Sequence, residues 1–212
     1  MPWWADWAWG VEASGTSVAR RILGGVGSLA FIPTWVAPPA QQVVDCFRIC
    51  YAVVDETLSF LRGGHAAAVN WVTGGQVSPI SEVPEQPVPE HVARAERMLA
   101  RVVAWDMPPP SLTEWADLGV EPREPVATNR EWATGVEAAL SWLLGLRAEP
   151  AVRLPRRLPD GSTPTAEQLY AEMVAAEPYA YDLPEERRDG RNKAAADAAL
   201  YRRLAALAAS AW

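Results

Sequence analysis

Apolar residues recur at intervals of three and four along most of the chain. No stretch shows the alternation with β-branched enrichment that a strand requires, so the pattern predicts an all-α protein. In the first half the clearest period runs over residues 43–62. Val43, Phe47, Cys50, Val54, Leu58 and Leu61 share one face, opposite Asp45, Arg48, Asp55, Ser59 and Arg62. Gly63-Gly64 reads as the end of that helix, with a second short helix from Ala66 to Val72. After Pro89 a stripe of Val92, Ala95, Leu99, Val102 and Trp105 predicts another helix. Glu90 and Arg94 pair across one turn of it, and Pro108-Pro109-Pro110 stop it.

Ser111-Leu112-Thr113-Glu114 and Thr128-Asn129-Arg130-Glu131 both match the capping box, in which hydroxyl and carboxylate satisfy opposite orphan amides. The first predicts a short helix closed at Gly119. The second predicts a longer one with Trp132, Val136, Ala139, Leu140 and Leu143 on one stripe and Gly145 as its stop. Residues 148–163 read as a loop with an Asp160-Gly161 turn. A helix with Leu169, Tyr170 and Met173 on its apolar face then starts at Pro164 and runs to Pro178. A last one opens at Asp182-Leu183-Pro184-Glu185, carries Leu200, Leu204 and Leu207, and runs to Trp212. Pro84, Pro87 and Pro89 favour an extended, semi-rigid linker. The expected organisation is a Trp-rich helical region over 1–76, a Pro-rich linker over 77–89 and a helical body over 90–212.

Half of the 212 residues are apolar, which is enough for a core and excludes wholesale disorder. The net charge of −7 argues against a nucleic-acid partner, because coating phosphates needs clustered cations. Arg outnumbers Lys eighteen to one, a skew of GC-rich codon usage. Residues 22–44 carry no charge and follow Arg20-Arg21, but Gly24, Gly25, Gly27, Pro33, Pro38 and Pro39 interrupt them. Neither a spanning helix nor a cleaved leader is therefore expected. Cys46 and Cys50 lie four apart on a helix, which is poor disulfide geometry, so they read as reduced, buried thiols of a cytoplasmic protein. His65 would be their third metal ligand, but no further CxxC or HxxxH supports a site, and no metal or cofactor is expected.

There is no HExxH, GxSxG or di-iron ExxH pair, and Gly24-Gly25-Val26-Gly27 lacks the lysine and strand of a phosphate loop. His65 and His91 have no motif around them. The carboxylates of Glu185 and Glu186 sit in a helix start, where solvation and the helix dipole explain them. A non-enzymatic protein is the expectation, with no catalytic residue assigned. An unrecognised small-molecule enzyme would need a pocket lined by polar groups of shifted pKa.

The features that remain suit interaction. They are Trp3, Trp4, Trp7 and Trp9 at one end of the chain, Trp212 at the other, and a cationic loop of Arg153, Arg156 and Arg157. They predict a subunit or adaptor that binds protein subunits in a homo- or hetero-oligomer, with the tryptophan cluster and the linker in contact with the partner. The alternative is a peripheral membrane protein whose aromatic N-terminus and 22–44 segment rest in the bilayer interface.

The run Thr134-Gly135-Val136-Glu137-Ala138-Ala139-Leu140-Ser141-Trp142-Leu143-Leu144-Gly145 is followed by Pro155-Arg156-Arg157-Leu158-Pro159-Asp160-Gly161 and a helix beginning Thr165-Ala166-Glu167-Gln168-Leu169-Tyr170. Together these resemble uncharacterised helical proteins of actinobacteria and their phages, over the last two fifths of the chain. The resemblance implies a phage-related or accessory role and brings no catalytic residue.

Overall fold

The computed structural model describes residues 32–52, 60–74, 77–84 and 87–210. Among them are seven α-helices and no strand, so the protein is all-α. The helices are α1 (Ala40–Ala52), α2 (Phe60–Val72), α3 (Glu90–Trp105), α4 (Leu112–Leu118), α5 (Arg130–Leu143), α6 (Ala166–Ala176) and α7 (Pro184–Ser210), with a 3-10 turn at Pro178–Tyr181. Expectations placed on residues 1–31, 53–59 and 211–212, which include Trp3, Trp4, Trp7, Trp9 and Trp212, lie outside the described residues.

Contacts group the described residues into two compact units, 32–43 with 60–151 and 44–52 with 152–210. In the first unit α5 packs against both α2 and α3, and α4 packs on α3. Trp71, Val72, Leu99, Val136, Leu140 and Leu143 are all buried there. Each such side chain stabilises the fold by about 2 kcal/mol relative to exposure.

Gly63-Gly64 does not end a helix, as the sequence predicts, but lies within α2. The reason is the crossing with α5. A Cβ on Gly64 would sit 2.1 Å from the Trp132 carbonyl oxygen, and a Cβ on Gly135 would sit 2.0 Å from the carbonyl oxygen of Leu61. Each helix presents its glycine to the other's backbone. Glycine costs a helix interior about 1 kcal/mol relative to alanine. Here the close backbone approach, and the apolar contacts it allows on either side, outweigh that cost. Leu61, placed on the buried face by periodicity, is partly exposed, and Asp45, placed on the polar face of α1, is buried.

The described part of the proline-rich segment expected as a linker, residues 77–84 and 87–89, is anchored to the first unit. Ser78, Pro79, Ile80 and Val88 are buried. The buried carboxylate of Glu96 on α3 accepts the backbone N–H groups of Ile80 at 2.5 Å and Ser81 at 3.1 Å, and the Ser81 hydroxyl at 2.6 Å. The Ile80 carbonyl accepts N–H groups from Val126 and Ala127. Trp132 Nε1 donates to the Pro79 carbonyl, and Trp35 Nε1 to that of Val88. Prolines remove donors that a solvated linker would not need. The N–H groups of Ser78, Ile80, Ser81, Glu82 and Val83 all find partners, which is what a buried loop requires.

In the second unit α6, the 3-10 turn and α7 pack together. Ala194 and Ala198 give α7 a low face on which Leu169 and Met173 of α6 rest, with Tyr201 beside them. The capping box at Ser111 and Glu114 forms as predicted, and Gly119 closes α4 at φ +66°. Two other starts move by one residue. Asn129, not Thr128, caps α5, and Thr165, not Pro164, caps α6 with Gln168 completing the box. In both, the capping residue is itself extended, which lets its side-chain oxygen accept from the amide three positions on.

Gly135→Ala and Gly64→Ala reverse the usual helix preference. Each is expected to destabilise the fold by about 3 kcal/mol, at the upper end for overpacking. Gly63→Ala should cost less, because its Cβ would meet only the Trp132 ring. Urea unfolding of the three variants checks the ranking.

Candidate interaction surface

The three loop arginines do not form one open cationic patch. Arg157 donates to both carboxylate oxygens of buried Asp45, at 3.1 and 3.3 Å. Arg156 makes a two-nitrogen contact with Glu172. Arg153 bonds Asp197 at 3.2 Å and lies 5.1 Å from the centre of the Tyr201 ring. All of these partners belong to the same unit, so the loop's charge is spent on fastening the loop. Removing one partner of a buried pair costs about 3 kcal/mol, whereas exposed pairs such as those of Arg153 and Arg156 contribute under about 1 kcal/mol. Only Arg157, paired with Asp45, carries much of the loop's anchoring.

The chemistry weighed for catalysis has structural occupations. Arg97 Nε donates to Ser141 at 2.6 Å, and Ser141 in turn donates to Glu137, tying α3 to α5. Burial pushes the Glu96 carboxyl above its ordinary range, against the pull of its hydrogen bonds to Ser81 and Ile80. His65, next to the Gly64 crossing, is buried, and its Nδ1 has no hydrogen-bond partner among the described residues. Desolvation, helped by the charges of Arg147 and Arg62, pulls its imidazole down to about 4, so it is neutral at pH 7. Cys46 and Cys50 are free and buried. Their mutual hydrogen bond and burial hold the Cys46 thiol well above its ordinary range, which keeps it protonated. No three His, Cys, Asp or Glu side chains among the described residues are placed to hold a metal ion.

A shallow, open depression of about 350 Å³ is lined by Pro184, Arg187, Arg188, Arg191 and Asn192, all from α7. Arg187 is turned back onto the Tyr181 and Asp182 carbonyls, and Arg191 lies against the Tyr170 ring.

The surface that stands out instead is the corner between α3 and α4. Trp105 is 52% exposed, Met107 is 41% exposed and Leu112 is 76% exposed, with Pro108 and Pro109 open to solvent between them. Trp105 ends the stripe that the sequence places in the core. Arg101 stacks on its ring at 5.8 Å. The corner is fastened at both ends. Asp106 caps α3 in the left-handed conformation at φ +55°, and its carboxylate bonds Arg130 at 2.9 Å. On the far side the Ser111–Glu114 box starts α4, and Trp115 is buried. The box's hydrogen bonds hold the exposed Glu114 carboxyl below its ordinary range. The sequence treats the three prolines only as a helix stop; a helix-period aromatic directly before them is the signal for an exposed corner.

No protein-family model matches the chain, and neither a curated protein nor a solved structure matches it.

Because His65 folds neutral, its contribution is present above pH 6.5 and is lost as pH falls toward 4. That window corresponds to about 3 kcal/mol. Urea midpoints measured from pH 7 to pH 4 should fall more steeply for the natural chain than for His65→Gln.

Proposed function

We propose that this chain is a non-enzymatic interaction protein, a subunit or adaptor of a larger assembly that joins other protein subunits through an exposed apolar corner. The observation that carries this reading is the corner itself. Trp105, Met107 and Leu112 stand in solvent on a segment clamped at both ends, while the first unit holds buried residues such as Trp71 and Leu140 elsewhere. Large apolar side chains grouped on a fixed surface mark interaction sites, and Trp is prominent among residues that dominate binding energy. Such a segment loses little conformational entropy on docking. The caps at Asp106 and Ser111 fix where the two helices end and so hold the backbone of the corner between them.

The loop arginines play a supporting part: they hold the loop to its own unit. No helix among the described residues is long and apolar enough to cross a membrane. We place the protein in the cytoplasm, where the free thiols of Cys46 and Cys50 stay reduced. A phage-related or accessory origin fits the resemblance of the last two fifths of the chain.

Native mass spectrometry of the protein purified from its own host is expected to give a heteromeric mass with a second protein. A bare monomer at every concentration would overturn the proposal.

A further inference from the structure

We propose that Trp105–Leu112 is a polyproline ligand, which docks in an aromatic-lined groove with a basic rim on a partner protein. The inference rests on the interaction reading above and names the chemistry of the partner.

Three features of this corner select that partner. The first is backbone shape. Each proline fixes its own φ near −65° and keeps the residue before it extended, so Met107 through Pro110 is biased to polyproline conformation before any partner arrives. Residues 107–111 lie in neither helix nor strand, and Pro108 and Pro109 are exposed. Proline nitrogens carry no hydrogen, so such a ligand offers ring faces and carbonyl oxygens. The complementary surface is a set of aromatic rings with hydrogen-bond donors between them.

The second feature is the apolar flank. Met107, partly exposed, precedes the prolines, and Leu112, largely exposed, follows within two residues of Pro110. Trp105 adds a third large side chain, and its Arg101 stack restricts the ring. This gives a groove something to grip at each end of the proline run.

The third feature is charge. Beyond the prolines, Glu114, Asp117, Glu121 and Glu124 are all exposed, and Arg123 is the one basic residue between 102 and 129. Asp106, at the other end, is already paired with Arg130. The open charge is thus negative and lies on the C-terminal side, which a basic rim complements and an anionic lipid surface repels.

The test places a photo-crosslinking benzoylphenylalanine at position 107 or 112 of the full chain, expressed in its own host. The expected adduct is to a protein, and the crosslinked peptide contains Trp, Tyr or Phe next to Lys or Arg. Its yield should fall about tenfold when Pro108→Ala and Pro109→Ala are combined, as loss of a dominant contact does. Salt at about 0.5 M should weaken it too, through screening of the rim. Because both prolines are exposed, the variant should keep its thermal midpoint, which circular dichroism verifies. No adduct, an adduct indifferent to the proline substitutions, or one to lipid, to a second copy or to residues 1–31 would each overturn the proposal. Native mass separates the two levels. If the heteromer survives the double substitution, the polyproline inference fails and the interaction reading stands. If the natural chain is only ever monomeric, both fail.

Discussion

The backbone-to-backbone contact between Gly64 of α2 and Gly135 of α5 is the constraint on which the first unit depends. Carbonyl oxygens of Leu61 and Trp132 occupy the places where two Cβ atoms would be, so the helices meet at a distance only glycine allows. Once α5 is set against α2, its other side is available to α3, and the Arg97–Ser141–Glu137 bonds fix that second contact. Trp132, beside the crossing, reaches Pro79 and anchors the loop that Glu96 caps. The order of dependence runs from a missing methyl group to the position of a loop.

That arrangement also accounts for where charge is used. Buried carboxylates are costly unless several donors meet them. Glu96 is met by two backbone amides and a hydroxyl, and Asp45 by the fork of Arg157. Such residues hold loops against helices and leave little unpaired chemistry inside. What remains for function is the surface, and there the α3–α4 corner combines exposed apolar side chains with a backbone fixed at both ends.

Helix identity was readable wherever local physics decides it. The period of Val92, Ala95 and Leu99, the Ser111 box and the Gly119 and Gly145 stops each depend on residues within a turn or two of one another. Gly63-Gly64 resembles a helix stop in the sequence because Gly135, the partner of Gly64 at the crossing, lies seventy-one positions away. The anchoring of the proline-rich segment is hidden for a similar reason: beside its local bonds, it is held by Glu96, Val126 and Trp132, which lie outside it in sequence. The three loop arginines looked like a free patch because Asp45, Glu172 and Asp197 are distant along the chain. The Trp105–Leu112 corner was visible only in part, since a stripe of apolar residues does not say which of them emerges from the core.

The account's central claim is that a rigid helical scaffold presents the α3–α4 corner to a partner protein. Hydrogen exchange on the complex isolated from the host, compared peptide by peptide with the free chain, tests it most directly. The account predicts new protection in the α4 amides and Met107, with the Arg153–Arg157 loop unchanged. Protection centred on that loop, with residues 105–118 exchanging as in the free chain, would contradict it.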